Sequence, residues 1–155
     1  MAIEKAREYL KRWNMDDKII EFDVSSATVE LAAAALGIEG KRIAKSLSFQ
    51  MGDSCILVVT AGDMKVDNQK YKAKFGVKAK MLAFDDVERL VGHAAGGVCP
   101  FGVNEGVDIY LDESLKRFTT VFPAGGSSNS AIELTIPQLE EYSRYKEWVD
   151  VCKES

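Results

Sequence analysis

The chain of 155 residues is poor in the side chains that most often carry catalysis or bind metal. It has one histidine, His93, so a histidine-based metal cluster or a Ser-His-Asp triad has almost nothing to draw on. Its three cysteines (Cys55, Cys99 and Cys152) are odd in number and lack metal-ligand spacing, which excludes a disulfide scaffold and suits a reducing cytosol. Proline is limited to three positions. No apolar run approaches the roughly 18–20 residues of a membrane span, so no membrane association is expected. The first fifteen residues are charged throughout and have no apolar signal core. There is no Rossmann fingerprint, and no Gly-Lys-Ser/Thr follows any glycine-rich stretch to make a phosphate-binding P-loop.

What is present suits one ordinary domain over residues 1–155, with 46% apolar and 28% charged residues and a net charge of −4. That balance argues against a nucleic-acid partner, but the charge is uneven. Between Lys65 and Lys80 stand six lysines (65, 70, 72, 74, 78 and 80) and one acid, Asp67, a local charge of +5. Such a run is either a solvated helix face or a phosphate-contact patch.

Periodicity supplies the elements. Ile3, Ala6, Leu10 and Trp13 predict an amphipathic helix over 2–14, and Ser26 is placed to cap a second over 27–36, closed by Gly37. Residues 43–50 alternate as a half-buried strand, with Ile43, Lys45, Leu47 and Phe49 on one face. The apolar run 55–60 reads as an inner strand. Asp67 caps a helix ending at Gly76, with Val66 and Tyr71 as its hydrophobic staple. Residues 77–83 read as a strand, and Asp85 with Glu88 as a capping box for a short helix to Val91. Strands follow at 107–111, 118–122 and 131–134. Thr135 and Gln138 form another capping box, with Pro137 in the first turn of a last helix carrying Leu139, Tyr142 and Trp148. Strands that both alternate with helices and follow one another predict an α+β fold. Its mixed sheet has six to seven strands and can curl around a pocket.

Three segments are candidates for chemistry. Lys45 lies in register with core residues, so its ammonium must snorkel to water or line a cavity that receives an anion. The segment 92–102 holds four glycines and Pro100, which marks either a helix-to-strand turn or a rigid cradle of backbone donors. Ala124-Gly125-Gly126-Ser127-Ser128-Asn129-Ser130 separates two apolar strands; it reads as a hairpin turn whose three serines and one asparagine could also rim a pocket. Cys99 is an alternative nucleophile with only His93 nearby in sequence to activate it.

In this order the segments resemble the YbaK family, the editing domain associated with prolyl-tRNA synthetase. Arg42-Ile43-Ala44-Lys45-Ser46-Leu47 resembles that family's lysine strand, and Asp67 with Lys70 its helix start. Gly96-Gly97-x-x-Pro100-x-Gly102 resembles its glycine–proline loop. Gly125-Gly126 followed by Ile132-Glu133-Leu134 resembles its final strand pair. The resemblance spans about residues 17–142 and implies a barrel-like, curled sheet and a deacylase that cleaves the ester of mischarged tRNA in trans. The substrate would be tRNA for proline, or a related tRNA, carrying a small amino acid such as Ala, Cys, Ser or Thr. It implies that Lys45 binds the phosphate or ribose of the acylated nucleotide and that Gly96, Gly97 and Pro100 hold the carbonyl. Gly102, Gly125, Gly126, Ser127, Ser128 and Asn129 would bind substrate, with tRNA contacts from Lys65, Lys70, Lys72 and Lys74. No metal or cofactor is implied, and an aminoacyl-tRNA synthetase is a candidate partner. Members that cleave cysteinyl-tRNA commonly carry basic residues where this chain has Ser127 and Ser128, a departure that speaks against cysteine specificity and leaves alanyl, seryl and threonyl esters open. A non-catalytic module binding tRNA, a nucleotide or a synthetase would use the same lysines and glycines.

Overall fold

The computed structural model describes residues 2–155. The first helix, α1 (Ala2–Leu10), buries Ala6 and Leu10 and continues as a single 3-10 turn to Trp13. After the short strand β1 (Ile20–Glu21), helix α2 (Val29–Leu36) is capped by Thr28, whose hydroxyl accepts from the Leu31 N–H, and ends at Gly37. Ser26 is not the cap: it lies two residues before the N-cap position, and its N–H (2.6 Å) and hydroxyl (3.3 Å) both donate to the Ser128 carbonyl.

Strands β2 (Ile43–Met51), β3 (Ser54–Ala61) and β4 (Met64–Val66) follow, then α3 (Asn68–Phe75), where the Asp67 carboxylate accepts from the Gln69 and Lys70 N–H groups as its spacing predicts. The expected strand at 77–83 does not form. Only Met81 makes a bridge, to Phe49, and Val77 and Met81 stay exposed. Helix α4 (Phe84–Val91) starts from Ala83 without a side-chain cap, so Asp85 and Glu88 form no capping box. Asp85 and Asp86 lie in its first turn, where they favour the helix dipole.

Six more strands and one helix complete the described residues: β5 (Asp108–Asp112), β6 (Thr120–Pro123), β7 (Ser130–Ala131), β8 (Leu134–Thr135), α5 (Ile136–Ser143), β9 (Glu147–Val149) and β10 (Cys152–Glu154). The anticipated strand at 131–134 is thus split in two. The Thr135–Gln138 capping box is present, with Pro137 in the first turn. Arg144, at φ 52°, ends α5, so Trp148 sits on β9 and not on the last helix. Its indole N–H donates back to Glu140 at 2.8 Å.

Six strands make one curled mixed sheet in the order β8-β6-β2-β3-β5-β9. Strands β2 and β3 are antiparallel, while β2–β6, β3–β5 and β5–β9 are parallel. Helices cover the sheet and leave an apolar cluster on each side. Leu57, Val59 and Ala61 point to one, with Phe101, Leu111 and Leu139; Phe49, Ile56 and Val58 point to the other, with Tyr71. Both faces of β2 are therefore covered, where the sequence predicted one solvated face. That leaves the β2 edge as the way in from solvent.

Candidate active site

Strand β2 meets β6 only through Ile43 and Ala44, opposite Phe122 and Pro123. Beyond Ala44 the two strands part. Further along, β2 is closed again by the 80–82 segment: Gln50 N–H donates to the Lys80 carbonyl (2.8 Å) and Leu82 N–H to the Ser48 carbonyl (3.2 Å). Even-numbered residues of β2 thus turn their backbone groups away from β3. Ser46, between the two closures, presents its N–H and C=O to the gap.

The gap is a cavity of about 480 Å³, within the size range of small-molecule sites. Lys45, Ser46 and Leu47 of β2 form one wall. Val29 and Ala32 of α2, with its cap Thr28, form a second, and Phe84 and Val87 of α4 a third. Gly96 and Val98 of the glycine loop, with Ala124 and Ser130 of the β6–β7 turn, complete it.

Two polar groups here lack a protein partner. Among the described residues, the Lys45 ammonium makes no hydrogen bond or ion pair. Its pKa lies below the ordinary lysine value because burial disfavours the charge, only partly offset by Cys152, Asp63 and Glu30. Asp63 cannot serve as its counter-ion at contact, since both its oxygens are held by the Arg117 guanidinium at 2.6 and 3.0 Å. The Ser46 hydroxyl is buried and has no hydrogen-bond partner. Unpartnered buried polar atoms are rare in folded proteins, and a cavity wall is where a ligand would satisfy them.

The glycine loop is locked against the β6–β7 turn. A Cβ on Gly97 would stand 2.7 Å from Ser127 Cα and 2.8 Å from its carbonyl carbon, so only glycine permits this approach. Gly97 N–H is already committed to the Ala94 carbonyl at 3.0 Å. Among the described residues, the Gly96 and Val98 amides have no backbone acceptor, and both residues line the cavity together with Ala95. Gly96 holds φ at +91°, a conformation that L side chains rarely adopt.

The other predicted residues fall into two groups. Pro100, Gly97, Gly125 and Gly126 are buried behind the cavity wall. Ser127 donates to Asn129 Oδ1 (2.8 Å), and Asn129 Nδ2 donates to the Phe22 carbonyl (3.0 Å). These side chains hold the turn in place, and Ser128 does so through its carbonyl. Outside the site, Gly102 lines a separate groove with Lys5, Arg12 and Arg144. Lys70 is bound to Asp150 and the Cys152 carbonyl, and Lys74 to Glu147. Lys65 and Lys72 are exposed and do not line the cavity.

Cys99 is fully buried, its thiol pushed up to about 12 by burial, and it does not line the cavity. His93 is equally buried, its pKa lowered by burial, with Nε2 2.6 Å from the Phe101 carbonyl oxygen. Both belong to the packing of the glycine loop. Ser130, one of the three serines expected to rim a pocket, does line the cavity, whereas Ser46 and Thr28 were missed as cavity residues; a serine next to the core-facing lysine was the sequence signal for Ser46.

Comparison with known proteins identifies the family and the fold. The model of the aminoacyl-tRNA editing domain matches residues 24–142. A Bacillus subtilis (strain 168) protein, "Uncharacterized protein YwhH", is 53% identical over 99% of both chains. A proline–tRNA ligase of Thermosipho melanesiensis is 30% identical over 80% of this chain, which spans only 22% of that enzyme. A crystal structure described as "a putative trans-editing enzyme for prolyl tRNA synthetase" superposes with a TM-score of 0.87 at 27% identity, covering 98% of this chain and 97% of the other.

Proposed function

The chain belongs to the aminoacyl-tRNA editing domain family, and from that premise we propose that it is a trans-editing deacylase of mischarged tRNA. It acts in the cytoplasm on the tRNA for proline, or a related tRNA, bearing a small amino acid such as Ala, Cys, Ser or Thr. The observation that carries this reading is the unpaired Lys45 ammonium in the same small cavity as the Gly96 and Val98 amides.

Lys45 binds the phosphate or ribose oxygens of the acylated terminal nucleotide. An anion there restores the charged state that burial disfavours. Gly96 and Val98 donate to the ester carbonyl, and each well-placed donor is worth about 10²–10³ in rate through the oxyanion it stabilises. Water adds to the carbonyl carbon, the carbon–oxygen bond to the ribose breaks, and the ribose oxygen leaves with a proton. Among the described residues, no histidine or carboxylate lines the cavity. The neighbouring ribose hydroxyl of the tRNA therefore orients the water, as the family resemblance implies. An aminoacyl ester is already activated, so positioning and oriented donors suffice.

Selectivity follows from size. A synthetic site discriminates one methylene by only about 1–3 kcal/mol, and a second pocket that admits the smaller error supplies the rest. The walls beside Lys45 carry small residues, Ala32, Ala44, Ala124 and Ala131. Ser46 and Thr28 add hydroxyls that can reach a substrate amine or hydroxyl. A synthetase partner would deliver the tRNA, and Lys65 and Lys72 remain free for weak phosphate contacts.

The test is a panel of mischarged tRNAs incubated with the purified protein. Loss of at least one small aminoacyl ester well above the buffer rate is expected. Tight, salt-sensitive tRNA binding without any turnover would replace this reading with a binding module.

A further inference from the structure

We propose that Phe84 is a stacking platform for the terminal adenine of the acylated tRNA. The inference rests on the deacylase reading above, which places the ribose ester beside Lys45. Phe84 is the first residue of α4 and lies in the wall of the same cavity. Val87, one turn later on the same stripe, is buried in that wall, whereas Phe84 is 78% exposed at the rim. Met81, 56% exposed, lines the cavity beside it.

The exposure of this ring has no structural reason within the fold. Among the described residues, Phe84 stacks on no other ring and lies under no cation. Its backbone is fixed, because it opens a helix that is anchored by Val87 and Val91. A rigid ring at the mouth suits a flat ligand that must hold one orientation while its attached ester is cleaved inside.

The chemistry of the substrate supplies that ligand. With the acyl group at Ser46 and the ribose at Lys45, the base attached to the ribose emerges at the mouth. Every nucleobase presents a π-face, and aromatic stacking is tolerant of its identity. The polar surroundings fit as well. A second groove of about 390 Å³ shares Met81 and Leu82 with the cavity and contains Lys80, a cation for the phosphate leading to the preceding nucleotide. Its other cation, Arg89, is paired with Asp86 at 2.9 Å.

The experiment measures binding of 3′-deoxy-3′-(L-alanylamino)adenosine, an amide that cannot be hydrolysed as the ester is. The same aminoacyl-amino ribose without a base serves as control. Phe84→Ala should weaken binding of the adenosine compound by roughly 5- to 150-fold, the range of one lost base–aromatic stack. Phe84→Trp should retain it and show quenching of the new indole on binding. The compound without a base should bind both variants alike. In deacylation, Phe84→Ala should raise KM and leave kcat nearly unchanged. Equal affinity of wild type and Phe84→Ala for the adenosine compound overturns the proposal, as does an equal loss for the base-free control. Phe84-dependent binding with no hydrolysis by the wild type would instead overturn the deacylase reading and leave the platform standing.

Discussion

Lys45 and Thr60 face each other across β2 and β3, yet the polar groups around them live under opposite rules. On the Thr60 side, Thr60, Ser114 and Asp112 are all paired. Thr60 Oγ1 lies 3.2 Å from Ser114 Oγ and 3.3 Å from Cys152 Sγ, and Ser114 Oγ accepts from the Ala61 N–H. Asp112, almost wholly buried, accepts from the Ser114 and Val151 N–H groups at 3.0 Å each. On the other side, Lys45 and Ser46 have no partner and the β2 edge is open. A satisfied polar cluster holds the strands together; an unsatisfied one beside a cavity waits for a ligand. Substitutions in the first should therefore cost stability, and those in the second should cost activity.

The largest effect is expected from Asp112→Ala, which leaves two buried N–H groups unpaired. Chemical denaturation should show a loss of about 2–4 kcal/mol, while the activity of the folded fraction persists. A preserved midpoint would break the contrast. Gly97→Ala joins the two regimes, since its Cβ would meet the Ser127 backbone at 2.7 Å. It should lose about 1–3 kcal/mol by overpacking and also lower kcat, because the Gly96 and Val98 amides move with the loop.

A third test uses pH. Burial lowers the Lys45 pKa in the folded chain, so the unfolded state holds this proton more firmly. The Lys45 contribution to stability therefore rises as pH climbs from the lowered value towards the ordinary lysine value. At neutral pH its charge costs stability, and Lys45→Met should melt at the same temperature as wild type or higher. In a pH series of melts, the alkaline rise assigned to Lys45 should vanish in that variant. The smallest effect belongs to Ser46→Ala. Its hydroxyl has no partner to lose, so stability should change by less than about 0.5 kcal/mol. Steady-state kinetics should show a change in preference among alanyl, seryl and threonyl esters.

The sequence was most legible where the determinants are local. Asp67 caps α3 and Thr135 with Gln138 boxes α5 because those bonds span three residues or fewer. The alternation of β2 placed Lys45 on a core-facing register. Residues 77–83 read as a strand because alternation reports amphipathicity and not pairing; only Met81 found a partner. Strand β10 escaped notice because its partner β4 is distant in sequence. The glycines of 92–102 were legible as a turn or rigid cradle, but the partner that holds Gly97, Ser127, was not. The serines after Gly126 read as ligand groups, yet Ser127 and Asn129 spend their side chains holding the turn. The open strand edge at Ser46 arises where β2 and β6 diverge, a tertiary fact that no local pattern encodes.

The most direct test of the central claim is single-turnover ester loss from a mischarged tRNA, comparing wild type with Lys45→Met at equal folded concentration. The account predicts at least a ten-fold slower rate for the variant, with its melting temperature undiminished. Equal rates would contradict it, because the unpaired ammonium would then have no part in the reaction.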